Sequence, residues 1–203
     1  LEVRCVRKDN GVPEFIFATV QDISERKQAE AKIERLTGIY AALSETNQAI
    51  ARSSNQELLF SQICRIAVQL GGMKMAWVGV VLPETLQIVP AACFGDGTEL
   101  LDELQLWADA GGPSGRGATG AAIRENSAIW IQDFKNDPMT ENWKALGARA
   151  GWGASAVLPL SCSGKVVGVL MLYAAEANAF DETARNLLAE MAADISFALD
   201  SFA

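Results

Sequence analysis

The clearest hydrophobic pattern lies between Ala154 and Ala174, where ASAVLPLSCSGKVVGVLMLYA holds two apolar runs joined at Ser163-Gly164. Glycine supplies the positive φ of a two-residue hairpin turn, so the stretch predicts two antiparallel strands. With Cys162 opposite Lys165, the pairing continues through Leu160–Val167, Leu158–Val169 and Ala156–Met171. The alternate set, Ser155, Val157, Pro159, Gly168, Leu170 and Leu172, is nearly as apolar. A strand pair apolar on both faces has to be covered on both.

Leu1 to Gln21 reads as another hairpin, with a turn signal at Asp9-Asn10-Gly11. From Ser24 the pattern becomes helical. Ile33, Leu36, Tyr40, Leu43, Asn47 and Ile50 recur at alternating spacings of 3 and 4. That is the a/d repeat of a two-helix seam, with Ile33, Tyr40 and Asn47 at a. A buried Asn at a favours a parallel, in-register dimer. The alternative is an amphipathic helix lying on its own domain. Gly38 faces away from the seam and is expected to be a pliable point.

Ser54 and Glu57 have capping-box spacing, which predicts a second helix. Its apolar face is Phe60, Ile63, Ala67 and Leu70, and Gly71-Gly72 ends it. Strands follow at residues 75–82 and 86–94, then a short acidic helix at 100–107. A glycine-rich loop at 109–120 leads to a short helix at 121–126 and a strand at 128–133. Residues 134–153 are long and irregular, with a turn or two of helix expected near Asn142 to Ala150. The last helix starts at Phe180-Asp181-Glu182 and carries Leu188, Met191 and Ile195 in its apolar repeat. This order predicts an α+β fold, an antiparallel sheet with its long helices on one face. The other face is left to loops and short helices.

Composition narrows the chemistry. The chain has 203 residues, half of them hydrophobic, and a net charge of −8. No basic run stands out, which argues against nucleic acid or an acidic membrane surface as partner. No apolar run reaches about 18 residues, so no membrane insertion is expected. The first residues read as a strand rather than a leader, and the four cysteines are spread without a CxxC. Both features fit reduced thiols in a cytoplasmic protein. There is no histidine, which removes Ser-His-Asp and Cys-His pairs and histidine metal ligands. No catalytic or metal-binding residue is predicted.

Two family resemblances rest on these segments. The first hairpin, ending in Asp22-Ile23-Ser24-Glu25-Arg26-Lys27 and running into a helix, resembles the C-terminal end of a PAS sensor domain. The chain is therefore expected to start inside a domain. Gly115 to Asp133 (GRGATGAAIRENSAIWIQD), the hairpin at 154–174 and FDETARNLLAEMAADISFAL resemble a GAF domain over about residues 53–200. The implied boundaries are 1–22 for the PAS hairpin, 23–52 for a coiled-coil linker and 53–203 for the GAF domain. The GAF resemblance implies a sheet of five to six strands, dimerising helices on one face and a small-molecule pocket on the other.

The series as a whole resembles bacterial sensor proteins with a diguanylate cyclase, phosphodiesterase or histidine kinase downstream. It implies a non-catalytic module of two-component or cyclic-di-GMP signalling that works as a parallel homodimer. Alternatives are a ligand-free dimerisation relay and a thiol-dependent methionine sulfoxide reductase.

Gly115 to Gly120 is a literal GxGxxG, but no strand precedes it, so it is not a dinucleotide fingerprint. Its amides and Arg116 could hold an anion, or the loop simply shapes a pocket rim. Asn178 to Glu182 lacks the lysine and spacer of the NKFDE motif of cyclic-nucleotide GAF domains. Cys93 is the cysteine nearest a plausible pocket, yet the sequence around it supplies neither the positive charge nor the helix N-terminus that a reactive thiol needs. The expected ligand-binding residues are Trp77, Phe94, Arg116, Asp133, Trp143, Trp152 and Ser155. Large aromatics with a few polar groups suit a small apolar or aromatic ligand, unless the tryptophans plug the pocket. No cofactor is named. The expected dimer seam is Ile33, Leu36, Tyr40, Leu43, Asn47 and Ile50, with Leu188, Met191 and Ile195.

Overall fold

The computed structural model describes residues 2–7, 13–19, 22–111 and 115–202. The chain divides into two units, Leu1–Glu34 and Arg35–Ala203. In the first, β1 (Glu2–Arg7) pairs antiparallel with β2 (Pro13–Thr19). The predicted turn at Asp9-Asn10-Gly11 lies outside the described residues. Helix α1 (Ser24–Arg52) starts where the Asp22 carboxylate accepts the Ser24 amide at 2.9 Å. The Ser24 hydroxyl first, and then this amide, hold the Asp22 carboxyl below its usual pKa.

The second unit is built on a six-stranded antiparallel sheet. The strands are β3 (Met75–Val81), β4 (Gln87–Gly95), β5 (Leu106–Trp107), β6 (Ile129–Ile131), β7 (Ala154–Cys162) and β8 (Lys165–Ala174). Their order is β5-β4-β3-β8-β7-β6, so the hairpin β7–β8 sits beside β3 near the centre. A 3₁₀ turn at Thr98–Glu103 followed by the two-residue β5 replaces the predicted acidic helix.

The hairpin turn forms as its sequence requires. Ser163 and Gly164 take φ of 50° and 75°, the pair of positive values of a type I′ turn. Cys162 does pair with Lys165, but a bulge between Leu160 and Ser161 sets Leu160 opposite Gly168 and Leu158 opposite Leu170. Beyond the turn the expected pairing is therefore displaced by one residue of β8, and a one-residue shift exchanges faces. Ser155, Val157, Val169, Met171 and Tyr173 share one side. Leu158, Leu160, Leu170 and Leu172 share the other, and Gly168 goes with them, away from Ser155 and Pro159.

The leucine side carries the larger core. It is covered by α1, by α2 (Gln56–Gln69) and by α5 (Glu182–Phe202). Asn55, not Ser54, caps α2: its side chain accepts the Leu58 amide at 2.9 Å. Leu59, Phe60, Ile63, Cys64 and Ala67 face inward, while Leu70 at the helix end is exposed. Phe94 belongs to this side as well, beneath α2, with the Arg65 guanidinium 5.1 Å from its ring centroid.

The expected dimer seam divides. In α1 the buried positions are Ile39, Ala42, Leu43, Thr46 and Ala49, with Leu36 and Ile50 packed at their margin. The d residues thus serve the unit's own core. The a residues Ile33, Tyr40 and Asn47 are exposed. Leu188, Met191 and Ile195 are buried inside the same core, so they are intramolecular contacts rather than seam residues. A pattern that matches a coiled coil also fits a helix laid on its own sheet, because both need one apolar stripe.

Gly38 is not a hinge. A Cβ there would stand 2.5 Å from the Leu70 carbonyl oxygen at the end of α2, so the glycine permits a close helix approach. Gly38→Ala raises helix propensity by about 1 kcal/mol, yet the clash with backbone dominates. The variant is expected to be less stable by about 1–3 kcal/mol in urea unfolding, and a stabilised variant would refute the close packing.

Cys64 gives a second prediction. Its buried thiol donates to the Ala92 carbonyl at 3.6 Å. Burial first, then nearby Cys93, pushes its pKa from 9.0 up to about 12. The folded state therefore keeps a proton that the unfolded chain releases, so this contribution is full below pH 9 and fades as pH rises toward 12. Urea midpoints across that window are expected to fall more steeply for the wild type than for Cys64→Ala. Parallel slopes would contradict the assignment.

Candidate functional site

The opposite side of the sheet is covered by short pieces. Ser155 of β7 pairs with Tyr173 of β8, Val157 with Met171, and Met171 with Trp77 of β3. These alternate residues form a platform. Over it lie Leu104 and Leu106, the first residues of α3 (Ala118–Glu125), and the β6–β7 connection. That connection carries a 3₁₀ helix at Pro138–Trp143 and α4 (Lys144–Ala150). Between platform and cover is a cavity of about 30 Å³ lined by Gly117, Ala118, Thr119, Phe134, Met139, Thr140, Trp143, Trp152, Ser155, Met171 and Tyr173, as well as the two leucines. As closed, it has room for about two waters.

Its walls are aromatic. Trp152 stacks on Tyr173 with centroids 3.9 Å apart, and Phe134 meets the Trp152 ring edge-on at 5.5 Å. Burial drives the Tyr173 phenol well above its usual pKa, opposed by the Trp77 indole beside it. Tyr173 is thus neutral at any ordinary pH. The indole nitrogens of Trp77 and Trp152 are buried without a hydrogen bond of proper geometry among the described residues. Polar groups here are few. The Thr119 hydroxyl donates weakly to the Met171 sulfur at 3.7 Å, and the Thr140 hydroxyl lies 2.6 Å from the Phe134 carbonyl and 2.7 Å from that of Asp137.

The cover is fastened at its base. Asp137 accepts the Met139 amide at 2.8 Å. Gly147 lies so close to Phe134 that a Cβ would come within 2.4 Å of the ring. Arg149 makes a two-pronged pair with Glu103 at 2.9 and 3.0 Å. Both partners are exposed, so this pair is worth little alone. In the glycine-rich loop the Arg124 guanidinium donates to Ala108 and Gly115 carbonyls at 2.9 and 2.6 Å. Gly115 packs directly on the Asp109 carbonyl, with no space for a side chain. The glycines of the GxGxxG serve this packing at the cavity rim.

Of the expected ligand residues, the cavity lining includes Trp143, Trp152 and Ser155. Trp77 lies in the same core cluster, outside the lining. Phe94 is on the helical side, and Arg116 is exposed on the loop. Asp133 is exposed too and turns to Asn136, accepting its side-chain amide at 2.7 Å. This bond and the turn's amides hold its carboxyl below the usual range. Sequence reasoning missed Tyr173, Met171, Phe134, Met139, Thr119 and Thr140. The period-two alternation of β8 would have found Met171 and Tyr173 had the bulge been anticipated; nothing in the sequence marks the others.

Among the described cysteines, Cys64 is buried on the inner face of α2, Cys93 is exposed, and Cys162 is half-buried with its thiol 3.7 Å from the Leu199 carbonyl. None of the three lines the cavity. Among the described residues no cluster of acidic or cysteine side chains is set to hold a metal, and no helix is long and apolar enough to cross a membrane.

Solved structures share this architecture. A free methionine-R-sulfoxide reductase from Neisseria meningitidis, in complex with its substrate, is 18% identical with a TM-score of 0.65, covering 81% of this chain and 89% of its own. The GAF domain of a phosphoenolpyruvate-protein phosphotransferase from Coxiella burnetii is 15% identical with a TM-score of 0.67, covering 82% of this chain and 95% of its own. The reduced fRMsr of Staphylococcus aureus is 15% identical with a TM-score of 0.62, over 80% of this chain and 96% of its own. No curated protein matches. At these identities the likeness shows the fold. It also corrects the expectation of a chain without catalysis, because the same fold carries a sulfoxide reductase. The profile described as GAF domain matches residues 53–200, and by that match the chain belongs to the GAF domain family.

Proposed function

We propose that the chain is a sensory module whose GAF cavity takes a small molecule. In this reading residues 1–22 are the end of a PAS domain, 23–52 a signalling helix and 53–203 the GAF domain. An output domain follows in the whole protein, a diguanylate cyclase, phosphodiesterase or histidine kinase. The observation that carries the proposal is the partly open aromatic cavity on the sheet face opposite the long helices.

Contacts between cavity wall and helices support a relay. Trp152 is followed by Gly153, whose backbone is packed against residues 175–177 with no room for a Cβ. From that segment the Ala179 carbonyl accepts the Arg35 guanidinium of α1 at 2.9 Å, and the Phe180 carbonyl accepts Arg185 of α5 at 2.9 Å. A ligand that moves Trp152 would bias the helices through this loop, as a two-state shift in their rotation or crossing.

The relay is proposed to act in a homodimer, formed through the face of α1 and α5 that the core leaves free. Tyr40 and Phe197 are 59% and 75% exposed on these helices. A contiguous apolar patch marks a contact surface, and this reading takes Tyr40 and Phe197 as two parts of one.

Native mass spectrometry of protein from its own host is expected to reveal a co-purified small molecule that Trp152→Ala loses; a bare chain in both would count against the sensor. Sedimentation velocity is expected to give a dimer for the wild type and a monomer for Tyr40→Glu with Phe197→Glu. A wild-type monomer would remove the dimeric relay.

A further inference from the structure

We infer that the cavity takes an uncharged, flat ligand bearing an acceptor oxygen, and that it enters by displacing Trp143; this rests on the small-molecule reading above. Three observations carry it. First, among the described residues no Asp, Glu, Lys or Arg lines the cavity, and its one titratable group, Tyr173, stays neutral. A carboxylate or ammonium would be stripped of water there without an opposite charge, which is strongly unfavourable. Second, Trp152 is a wall residue, and its indole N–H, covered in the ligand-free cavity, is a buried donor without a partner among the described residues that a shift of the ring would present to a ligand. Buried donors are almost always satisfied, so a ligand carbonyl fits that end better than a second donor does. Third, the stacked Trp152 and Tyr173 rings offer a flat apolar surface suited to a planar body.

Size assigns the role of Trp143. The closed cavity is about 30 Å³, whereas a cavity able to hold benzene measures about 150 Å³. Something in the wall must leave. Phe134, Trp152 and Tyr173 are buried, while Trp143 is only half-buried. It sits at the junction of the 3₁₀ helix and α4, in the bridge region at φ −118° and ψ 1°. Leu104 and Met139 are half-buried in the wall too, but Trp143 is the largest of the three, so its departure leaves the most room for one planar group.

The test uses three probes of matched shape: indole-3-carboxamide, indole-3-carboxylate and 3-(aminomethyl)indole. Calorimetric titration is run on the wild type and on Trp143→Ala, with Trp143→Leu in its place should the alanine variant unfold. The amide is expected to bind the variant at least tenfold more tightly than either ion, and to bind the wild type more weakly than the variant because the closed state must open first. An ion that binds as tightly as the amide overturns the uncharged class while leaving a small-molecule site. Equal amide affinity for wild type and variant overturns the displacement of Trp143. Failure of all three probes on both proteins overturns the planar ligand class, whereas the small-molecule reading itself falls only if native mass spectrometry also finds a bare chain.

Discussion

The structure depends on one constraint: the hairpin β7–β8, with β3 beside it, is apolar on both faces and tolerates water on neither. The two covers that meet this need are physically different. On the leucine face α2 and α5 lie against the strands and α1 joins the same core, so close to the end of α2 that it needs a glycine to pass the Leu70 carbonyl. The other face is covered by two 3₁₀ turns, two short helices and the loops between them. Short pieces set at many angles fill space less completely than three long helices do, and the gap they leave is the cavity. The pocket is thus a consequence of how the second face is covered.

The parts legible in the sequence were those set by local chemistry. The turn at Ser163-Gly164, the end of α2 at its glycines and the start of α5 follow from backbone preferences that act over a few residues. The fold class followed from the order of elements. What remained hidden was set by tertiary contacts. The bulge at Leu160/Ser161 has no local signal, yet it decides that Met171 and Tyr173 face the cavity. The heptad in α1 could not reveal which sheet face or which partner would take up its stripe. Leu43 went to the unit's own core, and Tyr40 was left outside. The pocket residues were legible only as aromatics in an irregular stretch. Trp143 and Trp152 line the cavity, whereas Phe94, equally aromatic, went under α2 because it pairs with Ala76 on the other face.

Charge separates the two sides further. Arg35, Arg185 and Gln132 gather at the loop between β8 and α5, where they bind the Ala179 and Phe180 carbonyls. The cavity, a few residues away along the same strands, has no charged side chain in its lining among the described residues. Polar bonds that hold helices in a defined relation are strong and directional. Apolar contacts around the cavity are neither, so the wall can yield where the loop cannot.

This difference in stiffness gives the connection between them its direction. Trp152 donates its backbone amide to Gly147 at the end of α4, and Gly153 donates to Ala174 at the end of β8. The first bond ties the cavity wall to its cover, and the second ties it to the strand that leads into α5. A displaced cover therefore pulls on residues 152–153. Gly153 has no free space on its other side, where the Ala175 carbonyl would stand 2.4 Å from a Cβ. In the proposed relay, motion that is not absorbed there would pass into the loop whose Ala179 and Phe180 carbonyls bind Arg35 of α1 and Arg185 of α5.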